Sequence, residues 1–318
     1  QCAERAGQLA VSLVLTDAGR NTVALSRTYS ADAAQARVLA HRMADDIVKA
    51  ATGREGFASS RLVLVGNRTG RKELYVCDGD GYNLTQLTQD RAISLYPRWG
   101  ANNSAITYTS YLRGYPAAFR IEVATGRRDM LAGFAGLNAS PVLSPDGRSC
   151  ALILSREGNP ELYVQTPPGG PATRITRTPN AAESSPTWSP DGSRIAYVSD
   201  VSGKPQIYVV SRAGGAPQRI TSRGIENVAP SWGPDGRIAY ASRLGGRFQI
   251  CVLDLAHGGV DVVTPDDADY EDPSWARNGR HLACTRTSAH RSSIVLIDTV
   301  TREQLTLVSG SGDWYSPD

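Results

Sequence analysis

"SPTWSPDGSRIAYVSD", residues Ser185–Asp200, holds a Trp, a Pro-Asp-Gly turn and a short apolar run. Close copies of it recur along the chain. "PRWGANN" starts at Pro97, "PVLSPDG" at Pro141, "PTWSPDG" at Pro186, "PSWGPDG" at Pro230, "PSWARNG" at Pro273 and "DWYSPD" at Asp313. Aligning Trp99, Leu143, Trp188, Trp232, Trp275 and Tyr315 gives spacings of 44, 45, 44, 43 and 40 residues. Six copies at one period describe a repeated structural unit, so the Trp and the turn residues read as structural rather than catalytic.

Each copy follows one grammar. In "SPDG", Pro190 pre-sets the second turn position and Gly192 can take a positive φ. The apolar runs "RIAYVS" (Arg194–Ser199) and "QIYVVS" (Gln206–Ser211) follow, separated by "DVSGKP"; then "RAGGAP" leads to "QRITS". That makes four short strands joined by hairpin turns. The two inner runs are apolar almost throughout, which requires both faces of the sheet to be covered. Four-stranded blades packed around an axis meet that requirement, and six of them make a ring.

The ends of the chain supply a check. The last copy holds only its first strand, whereas "RLVLVGNRTGRKELYVCDGDGYNLTQLT" (Arg61–Thr88) reads as strands two to four without a first. Together they predict a clasped blade, which removes an open sheet edge. The expected fold is therefore mainly β: a six-bladed β-propeller over residues 57–318, closed by a C-terminal/N-terminal strand clasp. Residues 1–56 do not fit the repeat. "GQLAVSLVLTD" and "NTVALSRTYSA" predict two strands around a turn at Ala18–Asn21. "SADAAQARVLAHRMADDIVKAATG" predicts a helix capped by Ser30 or Asp32, ended by Gly53, with Val38, Met43, Ile47 and Val48 as its apolar stripe. This β-β-α piece has too little core to stand alone, and either packs on the propeller or is half of a larger domain.

Composition narrows the function. Of 318 residues 41% are hydrophobic and 20% charged, enough to bury a core and too apolar for disorder. The net charge of +3 is scattered, with no basic run for nucleic acid, and no stretch approaches a membrane span. The chain opens on Gln1 without Met or signal peptide and reads as a processed or trimmed form. Cys77, Cys150, Cys251 and Cys284 fall in apolar runs and, with Cys2, show no CxxC pair; free thiols are expected rather than a bridge or a zinc site. No GxSxG elbow or phosphate loop occurs. His41, His257, His281 and His290 lie in different units, so neither a triad nor a metal cluster is indicated.

Three segments make the reading more specific. "HRMADDIVKAATGREGFASSRLVLV" (His41–Val65), "LYVCDGDGYN" (Leu74–Asn83) and "GGAPQRIT" (Gly214–Thr221) resemble the TolB family of periplasmic propellers across essentially the whole chain. The first is similar to that family's junction between its N-terminal domain and its propeller. The resemblance implies a periplasmic, non-catalytic, monomeric protein of the Tol–Pal envelope system, with 1–56 as the C-terminal half of the family's N-terminal domain. The family's TolA-contacting segment has no counterpart here, which puts a TolA contact in doubt. Trp is replaced by Leu143, and "SPDG" by "GANN" and "ARNG".

The loops leading into each Trp-strand are expected to ring one mouth of the channel, where the family binds Pal, a peptidoglycan-associated lipoprotein. By resemblance the partner-binding positions lie three to six residues before the aligned Trp. Here these are Leu95, Leu137, Asn138, Ser140, Glu183, Ser184, Ser185, Glu226, Asn227, Glu271 and Asp272. No cofactor is expected, although clustered carboxylates of this kind suit calcium. The alternative is a divergent propeller enzyme, a lyase or glycoside hydrolase, working in the channel; it calls for a histidine ring or paired carboxylates at one depth.

Overall fold

The computed structural model describes residues 1–318. Six four-stranded antiparallel sheets succeed one another along the chain, each running outward from its first strand. The first strands are Ser94–Trp99, Asn138–Leu143, Glu183–Trp188, Asn227–Trp232, Asp269–Trp275 and Trp314–Tyr315. They sit beside one another, each sheet packs on the next, and the sheet holding Trp314–Tyr315 packs back on the one that precedes it in sequence. Apolar residues alternate between clusters on the two faces of the middle strands. Ala151 and Ile153 join one cluster, while Cys150, Leu152 and Leu154 join another. All of Cys150–Leu154, Glu161–Gln165 and Ala105–Ser110 is buried, as the near-continuous apolar runs require.

The clasp forms. Trp314–Tyr315 pairs with Arg61–Gly66, which is followed in the same sheet by Glu73–Asp78 and Thr85–Gln86. Trp314 is 1% exposed and packs edge-on against Tyr75, their ring centroids 5.1 Å apart. Gly66 makes room for it: a Cβ there would meet the Trp314 ring at 2.3 Å. Pro317–Asp318 continues the strand, with Asp318 and Val63 exchanging backbone hydrogen bonds of 2.9 Å.

The Pro-Asp-Gly turn explains its own composition. Gly192 adopts φ +67° and donates its N–H to Ser189 O. Asp191 accepts from the Ser189 hydroxyl and from the N–H and hydroxyl of Ser193, which together hold its carboxyl down to about 2. The Ser189 hydroxyl also receives Arg194 N–H at 2.9 Å, and Ser144 with Asp146 repeats the arrangement. Each turn is a closed local network.

One alignment needs correction. In every first strand the residue before proline is left-handed: Tyr96, Ser140, Ser185, Ala229, Asp272 and Ser316, all at φ between 47° and 52°. Their spacings are 44, 45, 44, 43 and 44. The sixth copy therefore keeps the period: Tyr315 corresponds to Glu271 rather than to Trp275, and Asp318 corresponds to Ser274. The local match "SPD" had drawn the alignment off by four residues.

In the N-terminal unit, Gln8–Asp17 and Thr22–Asp32 pair as expected, with Cys2–Arg5 as a third strand on the edge. The helix runs Ala36–Thr52 and ends at Gly53, φ +72°, whose N–H donates to Lys49 O. Neither Ser30 nor Asp32 caps it. Ser30 pairs in the sheet, the Asp32 carboxylate accepts from Gln8, and a short 3-10 turn, Ala33–Gln35, precedes the helix. Leu39 is the buried residue of its stripe, whereas Val38 and Val48 face out. Sheet contacts thus shifted the helix start by several residues.

Candidate partner-binding site at the channel mouth

The left-handed residue before each proline is costly, since proline disfavours helical conformations at the preceding position and a side chain disfavours positive φ. In the five longer first strands the pairing register slips at this point, as between Ala139 and Val142 or between Glu271 and Ser274. Each is a β-bulge, which re-aims a side chain where the ladder is interrupted. Two of the freed N–H groups are received by the neighbouring sheet: Ser140 N donates to Thr109 Oγ1 at 2.9 Å, and Ser316 N to Thr285 Oγ1 at 3.0 Å. The six left-handed residues thus stand on successive sheets around the axis. Ser316 Oγ donates to Asp272 Oδ2 at 2.7 Å, linking two of these neighbours.

The expected contact residues do not lie in loops. Leu95, Asn138, Ser140, Glu183, Ser184, Ser185, Asn227, Glu271 and Asp272 belong to the first strands themselves, and Leu137 and Glu226 immediately precede them. Three are not a wet rim at all. Asn138, Glu183 and Asn227 each open a first strand and are buried, at 0%, 1% and 0% exposed. Their position is where the chain arrives from the preceding sheet with loose backbone groups to satisfy. Asn138 accepts from Phe134 N and donates to the carbonyls of Phe134, Gly136 and Pro116. Asn227 donates to Gln206 Oε1 and Arg223 O. Glu183 accepts from Thr178 Oγ1 at 2.6 Å and Ser199 Oγ at 2.9 Å.

The Glu183 carboxyl also faces that of Glu161, itself fully buried, on the preceding sheet. Glu161 collects Arg174 Nη2, Thr176 Oγ1 and Thr178 N at 2.5–2.7 Å. That donor set outweighs burial and holds Glu161 down to about 2, while burial and the facing Glu161 push Glu183 up to about 7. This pair braces the seam between two sheets.

What remains accessible is asymmetric. Ser184 is exposed, and Leu95, Leu137, Ser140, Ser185, Glu226, Glu271 and Asp272 are half-buried. Glu226 pairs with Arg243 at 3.0 Å. Burial, with Asp272 and Asp269 beside it, raises the Glu271 carboxyl above the ordinary range. Close by stands Tyr96, raised by burial and then by the Asp272 charge. Tyr96 is 43% exposed, and Ile93, Tyr111, Leu112 and Tyr115 of the same sheet are exposed as well. Tyr111 N donates to Ile93 O at 2.9 Å, and the Tyr111 phenol is close enough to that of Tyr96 to raise it, so Tyr96, Ile93 and Tyr111 stand together. The signal was present in the sequence: the turn "SYLRGYP" (Ser110–Pro116) is aromatic where other copies read "SREGNP" and "SDVSGKP". No group of three or more His, Cys, Asp or Glu side chains is gathered for a metal ion.

At the other end of the channel Arg98, Thr187, Ser231, Ser274 and Asp318 line an open pocket, and the N-terminal unit meets the propeller at this end. Arg98 Nη1 and Ser274 Oγ reach Asp318 Oδ1 at 3.3 and 3.0 Å, while Trp99 N donates to Asp318 Oδ2 at 2.7 Å. The helix meets this end through Arg37 and His41 on Asp80, and Phe57 stacks on His281 at 4.2 Å. The mouth with the bulges is the free end.

A family model for the TolB beta propeller domain matches residues 48–318. A TolB homolog of Chlorobaculum tepidum is 33% identical over 174 residues, 55% of this chain and 40% of that protein. The Tol-Pal system protein TolB of Desulfosudis oleivorans is 34% identical over 172 residues, 54% of this chain and 39% of the relative. These matches thus span about two-fifths of the relatives' length. The crystal structure of TolB from Acinetobacter baumannii superposes with a TM-score of 0.91 at 28% identity, covering 100% of this chain and 80% of that one. The chain belongs to the TolB β-propeller family.

Proposed function

We propose that this chain is a non-catalytic, six-bladed periplasmic propeller of the Tol–Pal system that docks a Pal-like lipoprotein domain at the channel mouth. Residues 1–56 are then part of a separate N-terminal domain. The observation that carries the reading is the mouth: exposed aromatic side chains beside a half-buried acidic pair, at the end the N-terminal unit leaves free. Aromatic residues with a polar surround are what recurs at the energetic centre of protein interfaces. Leu95, Leu137, Ser140, Ser184, Ser185, Glu226, Glu271 and Asp272 form the contact set, joined by Tyr96, Tyr111 and Leu112. Asn138, Glu183 and Asn227 hold the strands that present it.

No observation favours the enzymatic alternative. The histidines stand apart, and the Glu161–Glu183 pair is buried beneath the strands. The test is titration calorimetry with a Pal periplasmic domain, repeated for Ser184→Trp. Ser184 is exposed, so the indole leaves the fold intact and obstructs the mouth. Binding by the parent and its loss in the variant are expected. No binding by the parent, or equal binding by both, overturns the reading.

A further inference from the structure

The sheet built from Ser94–Trp99, Ala105–Ser110, Ala117–Glu122 and Arg128–Ala132 gathers exposed apolar side chains along one edge. Its edge at the mouth consists of the start of the first strand, the turn between the second and third, and the end of the fourth. Ile93 and Tyr96 stand at the first of these places, Tyr111, Leu112 and Tyr115 at the second, Met130 and Phe134 at the third, each 37–46% exposed. On the other five sheets the same edge carries only Val201 and Ile225 as exposed large apolar residues. Apolar residues exposed singly need no explanation, whereas a contiguous run marks an interaction surface.

Contacts along the edge make the run contiguous. At its inner end the Tyr96 and Tyr111 phenols are neighbours, with the Glu271 and Asp272 carboxyls beside Tyr96. Gly114 N donates to Tyr111 O at 2.9 Å, closing a turn that carries Leu112 and leads into Tyr115. A Cβ on Gly133 would lie 2.8 Å from Met130 Sδ and 3.7 Å from Tyr115 Oη, so both side chains border the same glycine. The Asn138 amide draws the outer parts together, donating to Pro116 O at 3.1 Å and Phe134 O at 2.8 Å. Arg156 of the next sheet lies over the Phe134 ring at 5.3 Å. Four strands spaced by about 4.8 Å make this run about 15 Å long, leading outward from the mouth.

We propose that this edge is the outer half of the docking surface: one folded domain enters the mouth and lays an apolar ridge along the sheet from Tyr96 to Phe134. The assignment rests on the reading of the mouth as the docking end. Area argues for a single partner. Side chains of roughly 200 Å², about two-fifths exposed, offer on the order of 550 Å² along the edge. A stable interface takes about 800 Å² per side, so the edge alone falls short and the half-buried residues of the mouth supply the rest. The partner this surface fits carries hydrogen-bond donors over Glu271 and Asp272 and an apolar ridge reaching about 15 Å beyond the segment in the mouth. An off-centre footprint also fixes the partner's rotation about the channel axis, which six similar sheets alone would leave open.

The probe is a Pal periplasmic domain, titrated into the full chain by calorimetry. Tyr115→Ser combined with Phe134→Ser should weaken binding by about tenfold or more at an unchanged melting midpoint, because both side chains are exposed. The matched change on other sheets, Val201→Ser with Ile225→Ser, should alter affinity by less than about twofold. Hydrogen exchange of the complex should show protection over residues 110–116 and 130–136 as well as at the mouth. If Ser184→Trp abolishes binding while the Tyr115 and Phe134 changes leave it intact, the edge is overturned and the reading of the mouth stands. Equal losses in the two double variants overturn the edge too. Absence of binding by the parent overturns both. If the Tyr115 and Phe134 variant fails to fold, exchange protection on the parent decides.

Discussion

The Glu161–Glu183 pair sets a pH dependence whose sign and size follow from its surroundings. Glu183 has an ordinary value of 4.5 and is pushed up to about 7 by burial and by the facing Glu161. Between those values the folded chain holds a proton that the unfolded chain has released, so this group's contribution to stability falls as pH rises from about 4.5 to about 7 and is level above that. Displacing a titration by that span corresponds to about 3 kcal/mol. Glu161 acts oppositely: held down to about 2, it contributes stability above about 4.5 that is lost as pH falls towards 2. The pair is most favourable with one proton between its two carboxyls.

Glu183→Gln imitates the protonated form without titrating. Its oxygen can still accept from Thr178 and Ser199, and its amide can donate to Glu161. The neighbouring repeat already contains the neutral version: Gln206 and Asn227 occupy the corresponding positions, with Asn227 Nδ2 donating to Gln206 Oε1 at 2.8 Å. Urea unfolding at pH 5, 6.5 and 8 should show the variant close to the parent at pH 5 and more stable by about 1–3 kcal/mol at pH 8, the upper figure being the full span. Glu161→Gln should instead destabilise at every pH above 4.5, because it leaves the buried Arg174 contact without its carboxylate. A Glu183→Gln variant with the same advantage at pH 5 as at pH 8 would refute the shared proton.

Deleting Ser311–Asp318 strips Trp314 and the Asp318–Val63 bonds from the clasp and should lower the unfolding midpoint with a loss of about 3–5 kcal/mol, accompanied by aggregation. An unchanged midpoint would mean the clasp does not close the ring. Gly66→Ala drives a methyl into the Trp314 ring and should show the same effect in milder form, read by the loss of near-ultraviolet dichroism from that indole. In native protein only the exposed Cys2 should react with a thiol reagent, since burial pushes the Cys77 and Cys150 thiols up to about 12 and raises those of Cys251 and Cys284. Rapid reaction of a second thiol would count against the packing described. Neutralising Glu226 and Glu271 together should slow association with a Pal domain and flatten its salt dependence, measured by stopped flow, while leaving dissociation little changed.

The repeat, the strand count per copy, the clasp and the free thiols were all legible because each rests on a pattern that recurs or on a simple rule of burial. Where reading failed, a local signal competed with a longer one. "SPD" at the chain's end imitated the turn motif and displaced the sixth copy by four residues, although the proline before the bulge kept the true period. Asp32 looked like a cap because Asp and helix starts go together; its carboxylate is instead spent on Gln8 across the sheet. Glu183 looked like a rim acid because charged residues near loops are usually wet. Its partner Glu161 lies 22 residues away on another sheet, and nothing in the linear order announces that the two meet.

The bulges explain how a repetitive scaffold makes a selective surface. One backbone geometry, a left-handed residue followed by proline, recurs six times around the axis, yet its side chains are Tyr96, Ser140, Ser185, Ala229, Asp272 and Ser316. The hydrogen bonds that hold this geometry, such as Ser140 N to Thr109 Oγ1, use the backbone N–H of the left-handed residue and a threonine hydroxyl of the neighbouring sheet, so they do not call on its own side chain. The other end of the same strands has no such freedom, because Leu143 and Trp275 press on Gly100 and Gly233 of the sheet before. Close packing there fixes both shape and residue size. It follows that exchanging Tyr96 and Ser140 for one another should leave the unfolding midpoint nearly unchanged while moving the aromatic patch off its acidic neighbours. Loss of Pal-domain affinity in that double exchange, with stability retained, is the expected result; loss of stability instead would show that the side chains at the bulge hold the ring together.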